Sequence, residues 1–253
     1  MSKRLMAAAC ALGVLAFTAN VVPLQAQESK DAVDPEAVEL LRSTMDYLGG
    51  LESFSAFVFN LREDLLDSGQ RIDLEASGGV TVVRPNKLRG VRHAGQVDEV
   101  LVYDGERVTV YNDVKQAYMT MEAPPTIEEM FLALHAFVEI YPVSDLIWQD
   151  AFPYLMEGVD FAKVIGTEVI GGVACTHLVF GRPDLGFQIW VPEDGPPLPT
   201  KYVVTDYATP EMLSIVTYIT DWNVEPSVAG DTFTFVPPEG AREVPFPKPD
   251  SNH

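Results

Sequence analysis

The chain has 253 residues, and its 37 Asp and Glu against 17 Lys and Arg give a formal net charge of −20 at pH 7. A surface so acidic argues against nucleic acid as a partner and repels anionic membranes, while its plain role is solubility or adaptation to salt. Four His and two Cys leave little material for a metal centre or a nucleophile beside a base.

Residues 1–26 read as an export signal, because Lys3 and Arg4 precede an apolar run from Leu5 to Phe17 that is too short to span a bilayer. Cleavage is expected after Ala26; the rival reading makes Cys10 the acylated residue of a lipoprotein signal, with fewer apolar positions ahead of it. Cleavage removes two cations, so 15 cations face 37 anions in the mature chain and the charge becomes about −22. It also leaves Cys175 as the single cysteine, so no internal disulfide forms and the core must hold the exported protein together. What remains suffices for one domain, residues 27–246, with a loose Pro-rich polar tail over 247–253 and no segment that reads as a membrane span.

Asp34 before Pro35 starts a helix, and Val38, Leu41, Met45 and Leu48 recur at three- and four-residue spacing until Gly49 and Gly50 stop it. The period then changes to two: Phe57, Phe59 and Leu61 share a face, and "DSG" turns the chain into Ile72, Leu74 and Ala76. Long antiparallel strands follow, with Asp104-Gly105 and Gly171-Gly172 as the pairs expected where hairpins need positive φ. From Thr126, an N-cap with Glu128 and Glu129 in the first turn, Met130, Leu134, Phe137, Val138 and Tyr141 line one face of a central helix, and "SDLIW" and "FPYLMEG" continue its apolar theme. Further strands are legible at "FQIWV", "KYVVTDY", "LSIVTYITDW" and "TFTFV". Strands at both ends with helices between them predict an α+β fold, a curved antiparallel sheet wrapping apolar helices. If the inserted helices cover part of the concave face, an apolar cavity remains for a ligand.

Catalytic signatures are missing: the chain contains no G-x-S-x-G, H-E-x-x-H, Walker loop or dinucleotide fingerprint. Cys175 and His177, two apart on one strand, share a face and could seat half a metal site, but no second pair accompanies them; a buried thiol beside a hydrogen-bonded His is the expectation. His135 reads as a lid residue and not a base. The carboxylates admit a glycosidase-type acid and base only as a third reading. Trp148, Trp190 and Trp222 are candidates for a cavity wall or for plain core. Pro85 cannot donate to a strand ladder, so it belongs at a strand end and places Arg84 at a rim. Arg84, Lys87, Arg89 and Arg92 crowd four of the mature cations into nine residues, and edge protection suffices to explain Lys87 and Arg89.

The order "VVRPNKLRG", "VDEVLVYDGERVTVYNDVKQAYMTM" and "DTFTFVPPEGAREV" resembles the strand, Arg-Pro-Asn turn, hairpin and closing strand of the LolA-like periplasmic lipoprotein carriers. "APPTIEEM" and "FGRPDLGFQIWV" are similar to predicted periplasmic proteins of unknown function in the same superfamily. The resemblance covers most of the mature chain. It implies an open half-barrel whose concave face is closed by an N-terminal helix and a central helical lid, over a cavity for acyl chains. It also implies that Arg84 bonds to the lid backbone and holds the cavity shut, and it places Leu88 where the carriers have an exposed rim aromatic used in handover. The segment from about Pro124 to Gly158 is longer here than in the carriers.

These readings converge on a periplasmic binding protein that is not an enzyme and uses no cofactor or metal. It is expected to be a monomer holding a lipid or lipoprotein acyl chain, with an envelope protein as a further partner. The expected cavity and lid set is Arg84, Leu88, Met130, Leu134, Phe137, Tyr141, Trp148 and Trp190. The alternative is a sensor or peptide-interaction module of the same fold.

Overall fold

The computed structural model describes residues 33–95, 97–135, 137 and 142–246. The chain divides into two units, of which Met1–Lys30 lies outside the described residues and Asp31–His253 holds all that follows. The expected export signal with Cys10, the tail over 247–253, Val138 and Tyr141 also lie outside the described residues.

Helix α1 (Pro35–Gly50) begins as its sequence predicts: Asp34 accepts from the Glu36 amide at 2.9 Å, with Pro35 in the first turn. Its inward stripe of Ala37, Leu41, Met45 and Leu48 is at most 2% exposed. Two antiparallel meanders follow. The first comprises β1 (Ser53–Leu65), β2 (Arg71–Val83), β3 (Lys87–Ala94), β4 (Val97–Tyr103), β5 (Arg107–Asn112) and β6 (Ala117–Glu122). The second comprises β7 (Phe161–Ile170), β8 (Val173–Arg182), β9 (Leu185–Pro192), β10 (Lys201–Asp206) and β11 (Ser214–Asn223). They join where β1 pairs antiparallel with β11, and the two-residue β12 (Arg242–Glu243) completes one sheet ordered β12-β6-β5-β4-β3-β2-β1-β11-β10-β9-β8-β7.

Turn chemistry sets the hairpins. Gly171 and Gly172 take φ of 58° and 89° between β7 and β8, values that side-chain-bearing residues resist. Between β4 and β5, Asp104 accepts from the amides of Glu106 and Arg107 at 2.9 and 2.7 Å. At Gly78 a Cβ would stand 1.7 Å from the Val91 carbonyl oxygen of the neighbouring strand, so only glycine permits that approach of β2 to β3.

Topology then forces the helices onto a face. Strands β6 and β7 are ten interstrand steps apart, about 48 Å in a flat sheet, so the chain between them must cross the sheet. It does so as α2 (Ile127–Leu134), a 3₁₀ turn (Pro142–Ile147) and α3 (Ala151–Met156). Leu41 and Leu48 of α1, Leu146 of the 3₁₀ turn and Phe152 of α3 pack with Leu178, Phe180 and Ile189 of the second meander. Met130 and Leu134 of α2 pack with Phe54, Val82, Leu88 and Tyr103 of the first. Side chains alternate in each strand, so Cys175, Trp190 and Val203 form a smaller cluster apart from these. The α+β architecture is the one expected, a large curved, open sheet around few helices.

Two details differ from the sequence reading. Residues 232–236, "TFTFV", form no strand: the amides of Thr232 and Thr234 turn back to Ala229 and Asp231, and Phe235 packs on Tyr111 and Tyr118 with ring centroids 5.8 and 5.2 Å away. The apolar alternation is satisfied by lying across strands instead of pairing with one. The pairing at that edge comes from β12, which runs parallel to β6 in an otherwise antiparallel sheet. Helix α2 is bounded at Leu134, and among the described residues beyond it the Phe137 amide donates to the Leu134 carbonyl at 2.8 Å.

Candidate functional site: a cavity between sheet and helices

Thr126 caps α2 by accepting from the Glu129 amide at 3.2 Å, and its own hydroxyl donates to the Glu129 carboxylate at 3.2 Å. The Ile127 amide bonds the Pro85 carbonyl at 3.1 Å, tying the start of α2 to the β2–β3 turn. Beyond α2, the 3₁₀ turn and α3 do not fill the space against the sheet. A cavity of about 250 Å³ lies between α2, the 3₁₀ turn, α3 and strands β8–β10, walled by Phe131, Trp148, Leu155, Phe187 and Val204. A second of about 150 Å³ lies over β1, β2 and β11, among Phe54, Val58, Val80, Ile219 and Trp222. Phe131, Ser144 and Trp148 stand at both or between them: Phe131 and Ser144 line each, and Trp148 packs against the residues of both core clusters. Together the two spaces reach the lower range of small-molecule sites.

The larger cavity has a polar end. Asp145 of the 3₁₀ turn, Tyr154 of α3, Arg182 at the end of β8 and Tyr202 of β10 all line it. Arg182 is engaged: Nε lies 3.1 Å from Asp184 Oδ1, off the line of a hydrogen bond, and Nη1 donates to the Glu157 carbonyl at 3.4 Å. Burial pushes the Asp145 carboxyl up to about 7, with the Arg182 guanidinium opposing. Burial also raises Tyr154 and, strongly, Tyr202, and the Asp145 charge adds to both.

Of the residues expected to form the cavity and lid, Trp148 lines the larger cavity, with the Tyr154 ring tilted against it at 4.4 Å between centroids. Met130 and Leu134 are fully buried, but as core against β1–β4; their neighbours Phe131, Leu132 and His135 face the cavity. Phe137 meets Phe246 edge-on at 5.2 Å. Tyr141 lies outside the described residues.

Three placements are corrected. Leu88 is 2% exposed in the core beneath α2, because its inward register in β3 leaves no side chain for the rim. Trp190 sits on the opposite face from Ile189 and Val191, stacked 4.0 Å over His177 and donating to Glu168 at 2.9 Å. Among the described residues, Arg84 makes no hydrogen bond to the central helical segment. Its Nε donates to the Leu51 carbonyl at 3.1 Å and its Nη2 to the Leu48 carbonyl at 3.3 Å, so it closes the C-terminal end of α1. Burial lowers the Arg84 pKa, and the Glu128 carboxylate of α2 opposes that shift.

The Cys175 and His177 pair takes the plain form. Both His177 ring nitrogens are engaged, with Glu168 at 3.0 Å and Gln188 at 2.9 Å, and the buried Cys175 thiol meets Thr200 Oγ1 at 3.3 Å. Among the described residues no three His, Cys, Asp or Glu side chains are grouped to hold a metal, and no helix is long and apolar enough to cross a membrane. Sequence reasoning missed Phe131, Asp145, Tyr154, Arg182 and Tyr202. The available signal was the lone acid in the apolar run "SDLIW".

A family model described as "Predicted periplasmic protein (DUF2092)" matches residues 37–247. No curated protein matches the chain. Solved structures of similar fold include the Mycobacterium tuberculosis lipoprotein LppX, 17% identical over 78% of this chain and 100% of that one, with a TM-score of 0.40. A chain of the Pseudomonas aeruginosa MucA/MucB complex is 12% identical over 79% of this chain and 61% of that one, at 0.41. A LolA superfamily protein from Nitrosomonas europaea is 10% identical over 79% and 97%, at 0.31. The expected likeness to predicted periplasmic proteins is met by the family model.

Proposed function

The chain belongs to the family of predicted periplasmic proteins DUF2092, and on that premise we propose that it is a binding protein, not an enzyme, which holds the acyl chain of a lipid or lipoprotein against the concave face of its sheet. The observation that carries the reading is the pair of adjoining apolar cavities that share Phe131 and Ser144. An acyl chain gains about 0.8 kcal/mol per buried CH₂, so ten buried methylenes supply roughly 8 kcal/mol before ordering costs. The engaged His177 and the lack of any catalytic signature support a non-enzymatic role. Export by the N-terminal segment, and action as a monomer in the periplasm, complete the proposal.

Organic extraction of protein purified from the periplasm, followed by mass spectrometry, tests it: a carrier brings near-stoichiometric lipid with it, and an extract free of lipid contradicts the reading. One observation favours a second role. Strand β7 is an edge of the sheet, and Ile165 and Val169 on it are 50% and 68% exposed, a surface to which a peptide strand can add. The register shift between Val164 and Gly166 blunts that edge. Lipid-free protein whose partner binding is lost on Val169→Lys would select this second reading.

A further inference from the structure

The polar end of the larger cavity holds polar side chains that no hydrogen bond among the described residues satisfies. Asp145 faces the cavity, and among the described residues no hydrogen bond reaches its carboxyl; the hydroxyls of Tyr154 and Tyr202 likewise have no partner there. The charged and titratable groups around Asp145 come from every element packed on the site. They are His135 at the end of α2, Tyr154 of α3 with Glu157 just after it, Arg182 and Asp184 at the β8–β9 turn, and Tyr202 of β10. The Arg182 guanidinium lies among these groups with Nη1 on the Glu157 carbonyl and Nε 3.1 Å from Asp184 Oδ1, while that Nε and the Trp148 Nε1 are buried without a hydrogen-bond acceptor among the described residues. A carboxylate head group would place a second anion against the ionised Asp145 carboxyl, which no hydrogen bond satisfies. A compact cation would meet an unpaired carboxylate between aromatic walls, and an ammonium has three donors for the Asp145, Tyr154 and Tyr202 oxygens.

Resting on the cavity reading above, we propose that this end recognises an amphiphile with a primary ammonium head, held by the Asp145 carboxylate and the Tyr154 and Tyr202 hydroxyls, with its chain running past Phe131 toward the second cavity. Burial keeps Asp145 largely protonated below about pH 7 in the empty site, so the preference for a cation is weak there and grows as the carboxyl ionises. An ammonium in place stabilises the charged form and draws that ionisation to lower pH.

The test is calorimetric titration of the purified protein with dodecylamine, dodecanol and dodecanoate, at about pH 8.5 and about pH 5.5, on either side of the Asp145 transition. At the higher pH the amine binds at one site and at least about tenfold more tightly than the alcohol, with the carboxylate weakest, as a charge-assisted contact implies. At the lower pH the amine's advantage shrinks. Asp145→Asn, which keeps the size of the side chain, abolishes the amine's advantage at both, and Tyr154→Phe reduces it even if Asp145→Asn folds poorly. Alcohol or carboxylate binding as tightly as amine at the higher pH, or an amine preference that survives Asp145→Asn, overturns the proposal and leaves the chain-binding reading in place. Failure of all three probes to bind removes both.

Discussion

Asp145 combines an ionisable group with an apolar wall, and the cost shows in stability as well as in binding. Its folded-state pKa of about 7 exceeds the ordinary aspartate value of about 3.9. Between those values the unfolded chain has released the proton while the folded one retains it, so stability falls as pH rises from about 4 to 7 and levels off above. The expected size is a few kcal/mol across that window. Urea denaturation from pH 4 to 8 should show this decline superimposed on the wild-type profile, and Asp145→Asn should flatten it. A variant whose profile parallels wild type would mean that the carboxyl is ionised in the folded protein.

Arg84 joins elements that are remote in sequence. Its two bonds to Leu51 and Leu48 close the last turn of α1, where helix carbonyls lack partners, and the adjacent Pro85 carbonyl holds the start of α2. Arg84→Leu should therefore remove two charge-assisted bonds of about 1.5–3 kcal/mol each when well formed, and hydrogen exchange should accelerate first around residues 45–51. The exposed Lys87→Ala should change stability by less than about 0.5 kcal/mol. Loss of protection confined to residues 127–134 would instead restore the lid-latch role expected from the family resemblance. Elements governed by local chemistry were legible in the sequence: the Asp34-Pro35 start, the Thr126 N-cap and both hairpin turns rest on neighbours within a few residues. What escaped depends on distant partners. The period-two pattern of "TFTFV" does not say whether Phe235 will pair or lie over Tyr111 and Tyr118, and nothing near Arg84 in sequence marks the end of α1 as its acceptor.

The whole molecule works as a division of faces. Because β6 and β7 stand near opposite edges, the connection must traverse the sheet, and a chain of short helices leaves gaps that a single long helix would fill. The tryptophans divide the same way: Trp148 lines the larger cavity, Trp222 the smaller, and Trp190 lies on the opposite face. That division allows the central claim, an alkyl chain held on the concave face, to be read directly. Three variants each retain one tryptophan and replace the other two by phenylalanine, and each is titrated with a dodecanol brominated along its chain, whose bromine quenches indole fluorescence only in contact. Saturable quenching of Trp148 and Trp222, with Trp190 unaffected, is the predicted result; quenching of Trp190 alone, or of none of the three, would contradict it.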